Sequence, residues 1–96
     1  MTDPVITDAK KTLCMVQLVN ELPVLRARLD LSQEEVADRI GVSCQTYNAI
    51  EGRRRNMPWS TCIALVTLFA SNEKTRKMLE AHGDLLELLG EVLSVQ

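Results

Sequence analysis

The sequence predicts an all-α protein, a small helical bundle, on three observations. Apolar residues recur at three- and four-residue intervals along most of the chain, the period of a helix face. Four glycines and three prolines stand well apart, and no Asn-Gly or Asp-Gly pair marks a hairpin turn. Residues that start helices, Ser32, Ser43, Ser71 and Asp84, each precede an apolar periodic run.

Asp8 to about Val19 reads as the first helix, with Thr7 as its N-cap and Ala9, Leu13 and Val16 as its apolar stripe. Pro23 is expected to break it. If Asn20 caps a second helix, Pro23 falls in the first turn, where its missing N–H costs nothing. Leu22, Leu25 and Leu29 then face inward, with Arg26 and Arg28 between them.

The next stretch, "LSQEEVADRIGVSCQTYNAIEGRRRN", packs two helix starts together. Ser32 and Glu35 have capping-box spacing, and Leu31 can staple to Val36. Val36, Ala37 and Ile40 form an inner face. Gly41 sits where the chain must turn, a place for a residue that tolerates positive φ. Ser43 caps the following helix, with Val42 and Tyr47 as its staple pair. A turn of about three residues forces two helices to cross steeply. Tyr47 and Ile50 point inward, leaving Ser43, Cys44, Gln45 and Asn48 on the outer, leading face.

Pro58 opens a further helix. Trp59, Cys62, Ile63, Val66, Phe69 and Ala70 recur at helical spacing, and Leu65 and Leu68 add a second apolar side, so this helix is central. Ser71 caps "NEKTRKMLEAH", in which His82 is a helix C-terminal residue and Gly83 the stop. Asp84 caps "LLELLGEVL", which is apolar on more than one face and has to pack on something.

Ninety-six residues fit one domain, 1–96, with a two-helix corner and its supports over 22–70 and a C-terminal helical extension over 71–96. The longest apolar stretch, Cys62 to Ala70, is about half a membrane span. The N-terminus lacks a basic segment followed by an apolar one, so a cytoplasmic protein is expected. Cys14, Cys44 and Cys62 are odd in number and widely spaced, and His82 is the single histidine. No metal site, disulfide framework or cofactor is expected from them. No nucleophile–base pair or phosphate loop is visible, so an enzyme is not expected.

The formal charge is −2. Met1 to Pro58 holds eight basic and eight acidic side chains, and the acidic excess lies in the tail. The field on one face, rather than the sum, governs binding of a charged partner.

Gln33, Ala37, Gly41, Val42, Gln45 and Ile50, at these spacings, resemble the lambda-repressor-like (Cro-type, XRE-type) helix-turn-helix family. "LSQEEVADRIGVS" followed by "QTYNAIE" is close to its usual pattern, and "RRRNMPWST" is similar to its loop into the fourth helix. The resemblance covers about Leu22 to Ala70. It implies a five-helix DNA-binding domain, commonly dimeric, acting as a transcriptional regulator. Its recognition helix would be about Cys44 to Glu51, laid in the major groove.

The resemblance implies roles residue by residue. Ser43, Cys44, Gln45 and Asn48 would face base edges; Gln and Asn can each pair with adenine at two points. Gln33 would reach a phosphate, helped by its helix N-terminus. Arg53, Arg54 and Arg55 would hold the DNA backbone. Arg26 and Glu51 would form an internal ion pair. Two positions depart from the family. Cys44 stands where relatives carry a longer polar side chain, and the glycine of "IEGRRRN" comes one residue early. An exposed thiol there would also make contact sensitive to oxidation or alkylation. The expected partners are double-stranded DNA and a second copy of the chain, with the last helix or the first as the dimer surface. The competing function is a protein-interaction module, such as an antitoxin, with DNA binding secondary or lost.

Overall fold

A computed structural model of the chain describes residues 4–81 and 84–94, with side chains from residue 7 onward. The order is α1 (Pro4–Arg28), α2 (Gln33–Ile40), α3 (Cys44–Glu51), α4 (Trp59–Ala70), α5 (Glu73–Ala81) and α6 (Leu85–Leu93). Among the described residues the regular structure is all helical. The expected end of the fifth helix, His82 and Gly83, lies outside them.

The first two expected helices are one. α1 runs unbroken through Pro23, and Thr7 lies inside it rather than capping it. Proline within a helix costs about 3 kcal/mol or more. Cys14, Leu18, Leu22 and Leu25, all essentially buried, form one stripe spanning the proline. Full burial of a leucine contributes roughly 1.5–3 kcal/mol, so keeping these residues aligned outweighs the lost bond. Pro23 itself is exposed, so its ring meets solvent rather than the core.

The stripe of Ala9, Leu13 and Val16 faces out. Leu13 is 45% and Val16 51% exposed, while the buried stripe lies on the opposite side of α1. At 100° per residue the helix has two apolar faces, and periodicity alone could not choose between them.

α1, α2 and α3 end alike. Leu31 N–H donates to Arg26 O and Asp30 N–H to Ala27 O; Val42 to Ala37 and Gly41 to Asp38; Arg54 to Ala49 and Arg53 to Ile50. This is the paired closure that requires a left-handed residue after the helix. Gly41 takes it at φ 79°, but Asp30 and Arg53 take it at 53° and 63° without being glycine. The early glycine of "IEGRRRN" therefore leaves the turn intact and shifts its strain to Arg53. Gly52 has φ −81°, and a Cβ there would approach Asn48 O to 3.1 Å.

α2 opens on a complete capping box: Ser32 Oγ accepts from Glu35 N–H at 3.0 Å and Glu35 Oε1 from Ser32 N–H at 3.1 Å. Ser43 Oγ accepts from Thr46 N–H at 3.0 Å at the start of α3. Gly41, Val42 and Ser43 make the three-residue turn between them. One apolar cluster then joins all six helices. It holds the α1 stripe, Val36 and Ala37, Tyr47 and Ile50, Cys62, Leu65, Val66 and Phe69, then Leu79 and Leu85.

The C-terminal caps differ from expectation. Ser71 Oγ donates back to Leu68 O, closing α4, while Asn72 Oδ1 accepts from Lys74 N–H to open α5. The asparagine one position later, with its longer amide side chain, reaches the N–H two residues on. Asp84 occupies the start of α6 without a side-chain cap bond. Buried Thr75 donates to Phe69 O at 2.5 Å, pinning α5 to α4. α6 lies along α1, with Leu85 buried, Leu86, Leu88 and Leu89 against the core, and Lys10–Glu91 paired at 2.8 Å. Most of its apolar excess is thus used inside the chain.

Candidate nucleic-acid interface

The two-helix corner places α3 across α2, with Tyr47 and Ile50 buried beneath it. Ser43, Cys44 and Gln45 at its leading end are exposed. Ser43 is committed to the cap, its hydroxyl also donating to Thr46 Oγ1 at 2.8 Å. Gln45 is the one long polar side chain of the first turn, exposed, with a donor and an acceptor on its amide. Cys44 is an exposed free thiol; Cys14 and Cys62 are buried.

Behind this end runs a continuous polar chain. Arg26 Nε donates to Glu51 Oε2 and its NH2 to Glu51 Oε1, both at 2.8 Å. Arg26 NH1 donates to Leu31 O at 2.9 Å. Gln33 Nε2 donates to Glu51 Oε1 at 3.2 Å, and Asn48 Nδ2 to Gln33 Oε1 at 2.6 Å. Arg54 in turn donates to Asn48 Oδ1. The pair that the resemblance implied thus extends across Gln33 and Asn48 to one arginine of the following loop.

The arrangement sorts the candidate residues. Asn48 is half-buried and its amide is engaged on both sides, unlike that of Gln45. Gln33 holds Glu51 and Asn48 while sitting at the first position of α2. The three arginines are all exposed but diverge. Arg54 is turned to Asn48, Arg53 donates to Asn20 Oδ1 of α1, and Arg55 borders a groove over Met15, Val19 and Met57. Asn20, read as a cap from its place before Pro23, thus proves to be an anchor for the loop. No local pattern marks such a contact across thirty-three residues.

Electrostatics keep the chain charged. Burial pushes the Glu51 carboxyl up, but hydrogen bonds from Arg26 and Gln33 and the nearby Tyr47 hydroxyl outweigh it and hold its pKa below the usual value. The Tyr47 hydroxyl is buried close to the pair without completing a hydrogen bond of full geometry, and burial raises its pKa far above an ordinary phenol. Lys11 covers the Trp59 ring at 5.5 Å from its centroid. Among the described residues, no His/Cys/Asp/Glu group has metal-site geometry and no helix is long and apolar enough to cross a membrane.

No curated protein and no solved structure matches the chain. A family model described as a helix-turn-helix domain matches residues 17–89, from the middle of α1 into α6. That span includes the capped corner, the polar chain and the arginine loop, and the chain belongs to the helix-turn-helix domain family.

Proposed function

We propose that this chain is a sequence-specific DNA-binding transcriptional regulator of the Cro type, with α3 read into the major groove. The exposed start of α3 carries the reading, since Gln45 stands free of the core while Tyr47 and Ile50 anchor the helix behind it. Gln45 reads a base, with Cys44 and Ser43 as its neighbours. Gln33 and the N–H groups that open α2 meet a phosphate. Arg53, Arg54 and Arg55 hold the backbone, and Asn48 orients Arg54 rather than reading a base directly. The near-neutral charge through Pro58 limits sequence-independent attraction, so affinity depends on the correct site. Two copies would read a near-palindrome with half-sites about one helical turn apart.

The test is a salt titration of binding to random and selected duplexes. A DNA reader binds both at low salt and keeps the selected one as salt rises. Absence of binding at every salt concentration would instead favour a protein-interaction module.

A further inference from the structure

Val16, half exposed on α1, forms one wall of a groove of about 340 Å³ between α1 and the loop that follows α3. Met15, Val19, Ile50 and Met57 supply the rest of its apolar lining. Arg53 and Arg55 border the same groove, and among the described residues no carboxylate lines it. The loop that carries both arginines is fixed by its backbone. Arg53 N–H donates to Ile50 O at 3.0 Å, and Arg55 N–H to Ala49 O at 3.2 Å. The Arg53 guanidinium is steadied by Asn20 of α1, and that bond uses a single donor of its fork. Arg54, between them, is turned away to Asn48.

From this we infer that the groove binds a small apolar carboxylate. Its tail lies over Met15, Val16, Val19 and Met57, and its carboxylate meets Arg53 and Arg55. Charge selects the head group: two cations border a groove that holds no anion of its own, and a guanidinium matches a carboxylate at two points. The floor selects the tail. A bare inorganic anion would leave it wet, whereas two methionines adapt to an apolar chain or ring. Size selects a small molecule. The volume lies at the lower end of ligand pockets, which span about 300–1,000 Å³. A folded partner needs about 800 Å² of surface from each side, far more than this groove offers.

The site stands without any role for DNA. Its consequence for DNA rests on the DNA-reading proposal above. A bound carboxylate occupies two of the arginines assigned there to the DNA backbone, so ligand and duplex weaken each other by the same factor.

Calorimetric titration of the full chain with decanoate, decanol and acetate tests the site. Decanoate should bind saturably, one per chain, and decanol about tenfold more weakly, the loss of one charge-assisted contact. Acetate should not saturate. The methyl resonances of Met15 and Met57 should shift with decanoate, and that of Met78 should not. Val16→Glu should abolish decanoate binding, whereas Leu13→Glu, on the same helix but outside the groove, should bind as wild type does. Both should keep the wild-type melting temperature, since both positions are exposed. Arg55→Gln should weaken decanoate about tenfold and leave decanol unchanged. The inference is overturned if decanoate does not saturate, if decanol binds as tightly, or if acetate does. It is equally overturned if Val16→Glu keeps wild-type affinity or Leu13→Glu loses it. Decanoate should also weaken binding of a selected duplex to wild type and not to Val16→Glu. Unchanged duplex affinity under saturating decanoate would overturn the antagonism alone. Failure to bind any duplex would overturn the DNA reading and leave the groove standing.

Discussion

Arg26 and Glu51, twenty-five residues apart, meet in a two-point hydrogen-bonded ion pair that fastens the end of α1 to the end of α3. Glu51 is nearly enclosed, with 7% of its side chain exposed, and Arg26 retains 21%. Removing one partner of such a pair leaves a desolvated charge behind. Glu51→Leu alone should lower stability by about 3 kcal/mol, and Arg26→Met/Glu51→Leu by clearly less. Denaturant unfolding of the two single variants and the double variant measures the coupling. Additive losses would show that the pair is not coupled.

The same carboxyl sets a pH limit. Its folded pKa lies below the ordinary value of 4.5. The stabilisation is fully present above that unfolded value and is lost as pH falls through the lower folded one. Wild-type stability should therefore decline on acidification from about pH 4.5 downward, more steeply than that of Arg26→Met/Glu51→Leu. Identical acid profiles would remove Glu51 as the cause.

Arg53 combines a strained backbone with a basic side chain. A left-handed conformation costs a non-glycine residue roughly 1–2 kcal/mol, part of which glycine returns through its freer unfolded chain. Arg53→Gly should raise stability by up to about 1 kcal/mol, or roughly 4–8 °C in melting temperature for a domain this size. The same variant should bind DNA more weakly on every sequence. Lower stability would mean that the bond to Asn20 outweighs the strain.

The cysteines divide by environment. Burial pushes the Cys14 thiol up and the Cys62 thiol to about 12, whereas Cys44 is exposed at the start of α3. Iodoacetamide on the native protein should modify Cys44 first, with Cys14 and Cys62 reacting only on unfolding. Peptide mass spectrometry reads the order. The alkylated protein should lose DNA binding, and Cys44→Ser should be immune to the treatment.

Short-range features were legible in the sequence because a few neighbouring atoms decide them. The Ser32–Glu35 box, the Ser43 cap, the turn at Gly41 and the inward Tyr47 and Ile50 all follow from spacing and side-chain chemistry. α1 is one helix rather than the expected two because Pro23 is a strong local signal and the tertiary stripe from Cys14 to Leu25 is stronger. The Ala9, Leu13 and Val16 stripe fits a 3.6-residue period as well as the buried one does, so periodicity does not choose the inward face. Of the candidate site, the exposure of Gln45 was readable from helix phase. The engagement of Asn48 by Gln33 and Arg54, and of Arg53 by Asn20, depends on contacts between separate elements that no local pattern encodes.

The central claim is that the start of α3 reads base pairs through Gln45. Binding selection from random duplex DNA, run in parallel on wild type and Gln45→Ala, tests it most directly. Wild type should yield a near-palindromic motif. Gln45→Ala should lose preference at one position in each half-site, at a cost of about 1–3 kcal/mol, with an unchanged salt slope. Recovery of the same motif at the same affinity from both proteins would contradict the claim.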